Sequence, residues 1–113
     1  MASWSTQECL TEAMDDAVSD ESEVRLSGFL RCASDEEVSI VVEDLPRHIE
    51  LTRAEPGCLS FEVVQTDDPR VWSVAERFAG PDAFRAHQAR VASSDWGRST
   101  RGIQRDYTIV GEM

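Results

Sequence analysis

From Val24 onward, the spacing of apolar positions switches between the two periods that separate strands from helices. Val24, Leu26, Gly28, Leu30 and Cys32 alternate with Arg25, Ser27, Phe29 and Arg31, which predicts a strand. Ser34 and Glu37 then have capping-box spacing, and Val38, Val41, Val42, Leu45, Ile49 and Thr52 recur on one helical face, so a helix follows. Pro46 lies inside it and is expected to kink or restart it, because proline lacks an N–H and its ring crowds the preceding turn. Pro56-Gly57 ends the helix. Two alternating apolar segments, 58–66 and 71–78, flank Asp67-Asp68-Pro69-Arg70, a hairpin signal. Gly80-Pro81-Asp82 opens a second helix with Phe84, His87 and Val91 on one face. A polar connection rich in Ser, Gly and Arg leads to a last strand over 107–110.

The order βαββαβ predicts an α+β, ferredoxin-like domain over 24–113: a four-stranded antiparallel sheet with both helices on one side. The other side is expected to carry some of Phe29, Phe61, Val63, Trp72 and Val74, which is too apolar to stay wet. A second subunit's sheet should cover it, giving a homodimer built as a dimeric α+β barrel with an interface above ~1,200 Å². Residues 1–23 form a distinct N-terminal extension, with Glu8, Glu12, Asp15, Asp16, Asp20, Glu21 and Glu23 and no basic residue. Ser5 with Glu8, followed by Leu10, Ala13, Met14, Ala17 and Val18, predicts a short helix and linker there; an unstructured acidic tail is the alternative.

Length and charge narrow the function classes. The 113 residues suffice for one domain. With 22 acidic against 11 basic residues, all of them arginine, the net charge of −11 argues against nucleic acid and anionic membranes as partners. No apolar run approaches the roughly 20 residues that span a bilayer. The opening MASWSTQECL lacks the basic and apolar regions of a signal peptide, so a cytoplasmic protein is expected. Cys9, Cys32 and Cys58 show no CxxC spacing, so neither a disulfide framework nor a zinc site is expected.

The stretch from His48 to Cys58 (HIELTRAEPGC), then Phe61-Glu62-Val63, Asp67-Asp68-Pro69, Glu76-Arg77-Phe78 and Ala83-Phe84-Arg85-Ala86-His87, together resemble the antibiotic biosynthesis monooxygenase family, especially its small quinol-monooxygenase-like members. The resemblance spans 24–111. It implies a ferredoxin-like dimer with a pocket between sheet and helices, and a family range that includes cofactor-free oxygenases of polycyclic phenols, quinol oxidases and haem-degrading relatives. Phe78 stands where the haem-degrading relatives carry tryptophan, which disfavours haem degradation. The Asn, Trp and Tyr set of the polyketide-tailoring members is incomplete, since the chain has no asparagine and Tyr107 is its one tyrosine.

His48 and His87, the only histidines, each lie on the more apolar side of a helix and could accept a proton near pH 7, or could be core histidines with structural partners. Arg53 could hold a phenolate or enolate oxygen, or could bridge Glu50 or Glu55. Glu76 sits in an apolar strand, where it needs a partner or its pKa rises; it reads as a proton acceptor or substrate anchor, or as half of a buried ion pair. Trp72, Phe61, Phe29, Phe84 and Trp96, with Tyr107, could enclose a flat aromatic ligand, or serve as core and interface. His48, Glu76 and His87 lack ligand spacing, so no metal is expected. The leading expectation is a cofactor-independent monooxygenase of a phenolic, anthrone or quinol-type substrate, with His48 or His87 as base, Arg53 as anion stabiliser and O₂ as co-substrate. Such a substrate, once deprotonated, itself passes an electron to O₂, and no GxGxxG signature is present for a flavin. The alternative is a non-catalytic dimeric binding module for a hydrophobic metabolite or a protein partner.

Overall fold

Strand β1 (Val24–Arg31) lies inside one antiparallel sheet, between β3 (Val71–Phe78) and β4 (Gln104–Val110), with β2 (Cys58–Gln65) beyond β3, so the order is β2-β3-β1-β4. In this computed structural model, residues 23–111 are described; the helix expected in the acidic extension, and Cys9, lie outside them. Helices α1 (Asp35–Arg53), α2 (Pro81–Ala92) and α3 (Asp95–Ser99) complete the α+β, ferredoxin-like arrangement. Among the described residues no helix is long and apolar enough to cross a membrane.

Alternation sets the two faces of the sheet. Val24, Leu26, Leu30, Trp72, Val74 and Phe78 are buried with Val41, Leu45, Phe84 and Trp96 of the helices. Register explains why the outer face is not the apolar surface expected. Trp72 pairs with Leu30, and Val74 with both Gly28 and Val63. Directly paired residues share a face, so Trp72, Val74, Phe61 and Val63 all turn toward the helices while Phe29, paired with Ser73, turns away. Of the five residues expected outside, Phe29 alone is there, 40% exposed and capped by the Arg31 guanidinium 5.2 Å from its ring. Around it the outer face is charged: Glu23 accepts from Arg25 and Arg77, and Arg31 pairs with Asp106. Gly28 lets β4 approach β1, since its φ is +149° and a Cβ there would lie 2.0 Å from the Asp106 carbonyl oxygen.

Helix α1 starts as its sequence directs. Ser34 accepts a hydrogen bond from the Glu37 amide, while the Glu37 carboxylate accepts from Ala33 N–H. It then runs unbroken through Pro46, against the expected restart. Pro46 is exposed and one turn after exposed Val42, whose carbonyl, deprived of its partner, can turn to water. The inward face of α1 is Val41, Leu45, His48 and Thr52, so His48 rather than Val42 belongs to it. Helix α3, a single turn capped by Ser94, stands where an irregular polar connection was expected, and it buries Trp96.

Candidate functional site

Four elements bring titratable groups together between sheet and helices. Glu76 projects from β3 onto the helix side, beside Leu26 and Phe61. Its Oε1 is buried without a hydrogen-bond partner. Burial, and secondarily the Glu55 charge, push its carboxyl up to about 7 against the pull of Arg105.

His87 on α2 stands next to it, with Nε2 3.9 Å from Glu76 Oε1, too far for a hydrogen bond and close enough to become one on a small shift. Its Nδ1 lies 3.0 and 3.3 Å from the two Glu55 oxygens. A carboxylate only accepts, so Nδ1 carries the hydrogen and Nε2 of the neutral ring offers a lone pair to Glu76. Burial lowers the His87 pKa despite Glu55, which keeps the ring neutral at pH 7. Glu55 is fixed in turn by Arg90, which also donates to Thr52 Oγ1 at 3.0 Å. The chain Arg90, Glu55, His87, Glu76 therefore ends on a lone pair able to receive a proton held by Glu76.

His48 lines the same cavity as Glu76, its ring centroid 6.1 Å from that of His87. It stacks on Trp96 (centroids 4.6 Å, planes 6° apart) and meets Phe61 edge-on at 5.3 Å. Its Nδ1 is also buried and unpartnered. Burial, followed by the charges of His87, Arg90 and Arg105, lowers its pKa to about 3, so the ring is neutral at any ordinary pH. Tyr107 faces the same space from β4, its phenol pushed up to about 12 chiefly by burial.

Glu76, His48 and Tyr107 line a small cavity of about 20 Å³ together with Leu30, Val63, Val74, Phe61 and Trp96. A water molecule needs ~10–15 Å³ of such space, so the cavity has room for about one. Of the residues singled out in the sequence, His48, Glu76, Phe61, Trp96 and Tyr107 meet at this cavity, and His87 stands 3.9 Å from Glu76 outside its lining. Four others stand elsewhere. Arg53 donates to the Phe61 carbonyl at 2.8 and 3.2 Å, at the sheet edge, away from the cavity. Phe29 is on the outer face, Phe84 packs on Phe78 in the core, and Trp72 is core with its indole N–H unpartnered. Glu55, Arg90 and Arg105 were not singled out from the sequence, although Glu55 is the first acid after α1 and could have been flagged by its place in the HIELTRAEPGC stretch. Among the described residues no three His, Cys, Asp or Glu side chains are grouped to hold a metal ion, and Cys32 and Cys58 are free.

Solved structures share the fold. A candidate antibiotic biosynthesis monooxygenase from Nitrosomonas europaea superposes with a TM-score of 0.68 at 19% identity, over 80% of this chain and 90% of that one. SnoaB of Streptomyces nogalater, a cofactor-independent oxygenase, gives 0.66 at 13% identity over 78% and 90%. A Mycobacterium tuberculosis protein gives 0.63 at 20% identity over 81% and 96%. No curated protein matches the chain by sequence. The sequence profile of the antibiotic biosynthesis monooxygenase family matches residues 23–98, and the chain belongs to that family.

Proposed function

We propose that the protein is a cofactor-independent monooxygenase that oxidises an electron-rich phenolic, anthrone or quinol-type aromatic with O₂, working as a cytoplasmic homodimer, with Glu76 as the base. The observation that carries this reading is a buried carboxyl lining a cavity, with a pKa near 7, where a base is strong enough to take a proton and still ionised in a useful fraction. His48, at about 3, is too weak a base, and His87 does not line the cavity, its free Nε2 lying against Glu76 instead. The fold shared with SnoaB supports the same reading.

For an anthrone the steps balance as follows. Glu76 takes the hydroxyl proton of the substrate's enol tautomer, and the new acid O–H donates to His87 Nε2. The resulting anion, delocalised onto the ring carbon opposite, gives an electron to O₂ and the resulting pair joins through a C–O bond at that carbon. The peroxide anion recovers the proton from Glu76. Loss of the C–H proton at that carbon with O–O cleavage then leaves a carbonyl and one water. Arg105, whose charge acts on Glu76, His48 and Tyr107, favours the anion.

Oxygen uptake by metal-free protein with a panel of anthrones and quinols tests this: the expected result is uptake above the spontaneous rate for wild type and loss in Glu76→Gln. The binding-module alternative draws on Arg53, the expected anion stabiliser, which is held by the Phe61 carbonyl away from the cavity. Saturable binding of such compounds with no uptake from any of them would select it.

A further inference from the structure

The inner cavity is too small to be where an aromatic ring first binds. Outside it, between α1 and the corner formed by α2 and α3, runs a groove of about 430 Å³. That lies within the ~300–1,000 Å³ range of small-molecule sites. Leu51 and the flat His48–Trp96 stack line it, and three arginines and three acids, Arg47 among them, leave it without net charge. An uncharged planar ligand suits such walls better than an ion does.

The same two rings also line the inner cavity, so the stack is the wall between the two spaces. His48 and Glu76, both in the lining of the inner cavity, each carry a buried atom without a partner, Nδ1 and Oε1. A hydroxyl, which donates and accepts, serves both atoms when the His48 hydrogen is on Nδ1: it donates to the carboxylate and accepts from the ring. Trp96 sits on a single-turn helix whose Ser99 hydroxyl donates to Asp44 of α1 at 2.6 Å, so moving Trp96 displaces one turn of chain rather than a long helix.

We propose that this groove is the docking subsite for an uncharged planar hydroxyaromatic, and that the ligand's ring displaces Trp96 from His48 and brings its hydroxyl to His48 Nδ1 and Glu76 Oε1. Docking stands on the groove alone; presentation to Glu76 rests on the oxygenase reading.

The probe is 1,8-dihydroxyanthraquinone, which is already oxidised, followed by NMR on the full chain. Saturable shifts of the Trp96 indole and the Leu51 amide are expected. Arg47→Trp, at a side chain 70% exposed and therefore unable to unfold the core, should fill the groove and weaken binding at least about tenfold. Absence of saturable shifts at Leu51 and Trp96, shifts confined to the outer sheet around Phe29, or wild-type affinity in Arg47→Trp would each overturn the proposal. Anthrone oxidation by a protein whose groove resonances stay still would remove the groove and keep the oxygenase. A responsive groove without oxidation would keep the groove and remove the oxygenase.

Discussion

Glu76 and His48 face one small cavity, and burial moves them in opposite senses. For Glu76 the folded state favours the protonated acid. Its cost is therefore absent below the ordinary pKa of 4.5, grows as pH rises from 4.5 to about 7, and stays constant above. At ~1.4 kcal/mol per unit this is about 3 kcal/mol. Urea unfolding of wild type and Glu76→Gln should accordingly show the variant gaining about 3 kcal/mol on wild type between pH 4.5 and 8. For His48 the folded state favours the neutral ring, so stability is complete above 6.5 and is lost as pH falls toward about 3. The windows oppose each other between 4.5 and 6.5, and acid lability should set in below that; His48→Phe should resist acid further than wild type in a pH-jump unfolding series. Glu76 was legible in the sequence because an acid amid apolar alternation needs explaining. Arg53 misled for a geometric reason: five residues beyond His48 is about 140° around a helix, so the two cannot share a face. The arginines that do act on the site, Arg90 and Arg105, come from α2 and β4, a proximity that spacing along the chain does not encode.

Long periodic elements were readable and short or oriented ones were not. The strands, α1 and α2 follow from alternation, capping and Pro81, whereas α3 is one turn, too short for a period to show. Which face of β2 and β3 meets the helices depends on pairing, and a strand buried on one side with few polar residues on the other gives little sign of it. Pro46 shows helix context overriding propensity. Because it is exposed and its turn faces solvent, Pro46→Ala should restore a backbone hydrogen bond and stabilise the fold by about 1–3 kcal/mol, read from the urea midpoint. An unchanged or lowered midpoint would mean that the turn around Pro46 carries no such cost. Glu55, in the turn after α1, connects that helix to His87 on α2. Glu55→Gln removes a negative charge that raises the Glu76 pKa, so the Glu76 midpoint, followed by carboxyl ¹³C NMR, should fall below about 7 without reaching 4.5, because burial remains the larger cause.

For the whole molecule, the charged outer face changes what a dimer would be made of. Phe29, Val64 and Val110 remain exposed there among Arg25, Arg31, Arg77, Glu23 and Asp106, so pairing two such faces would combine a small apolar centre with ion pairs repeated by two-fold symmetry. Phe29→Asp should shift sedimentation at micromolar concentration from twice the chain mass to the chain mass; a wild type already at the chain mass would rule out the dimer. The central claim, that burial tunes Glu76 to act as the base, is tested most directly by the pH dependence of oxygen uptake with an anthrone, corrected for the spontaneous reaction. The expected profile rises with a midpoint near 7 in wild type, and Glu76→Gln loses about 10²-fold or more along with that midpoint. A Glu76→Gln protein that keeps both the rate and the midpoint of wild type would contradict the account.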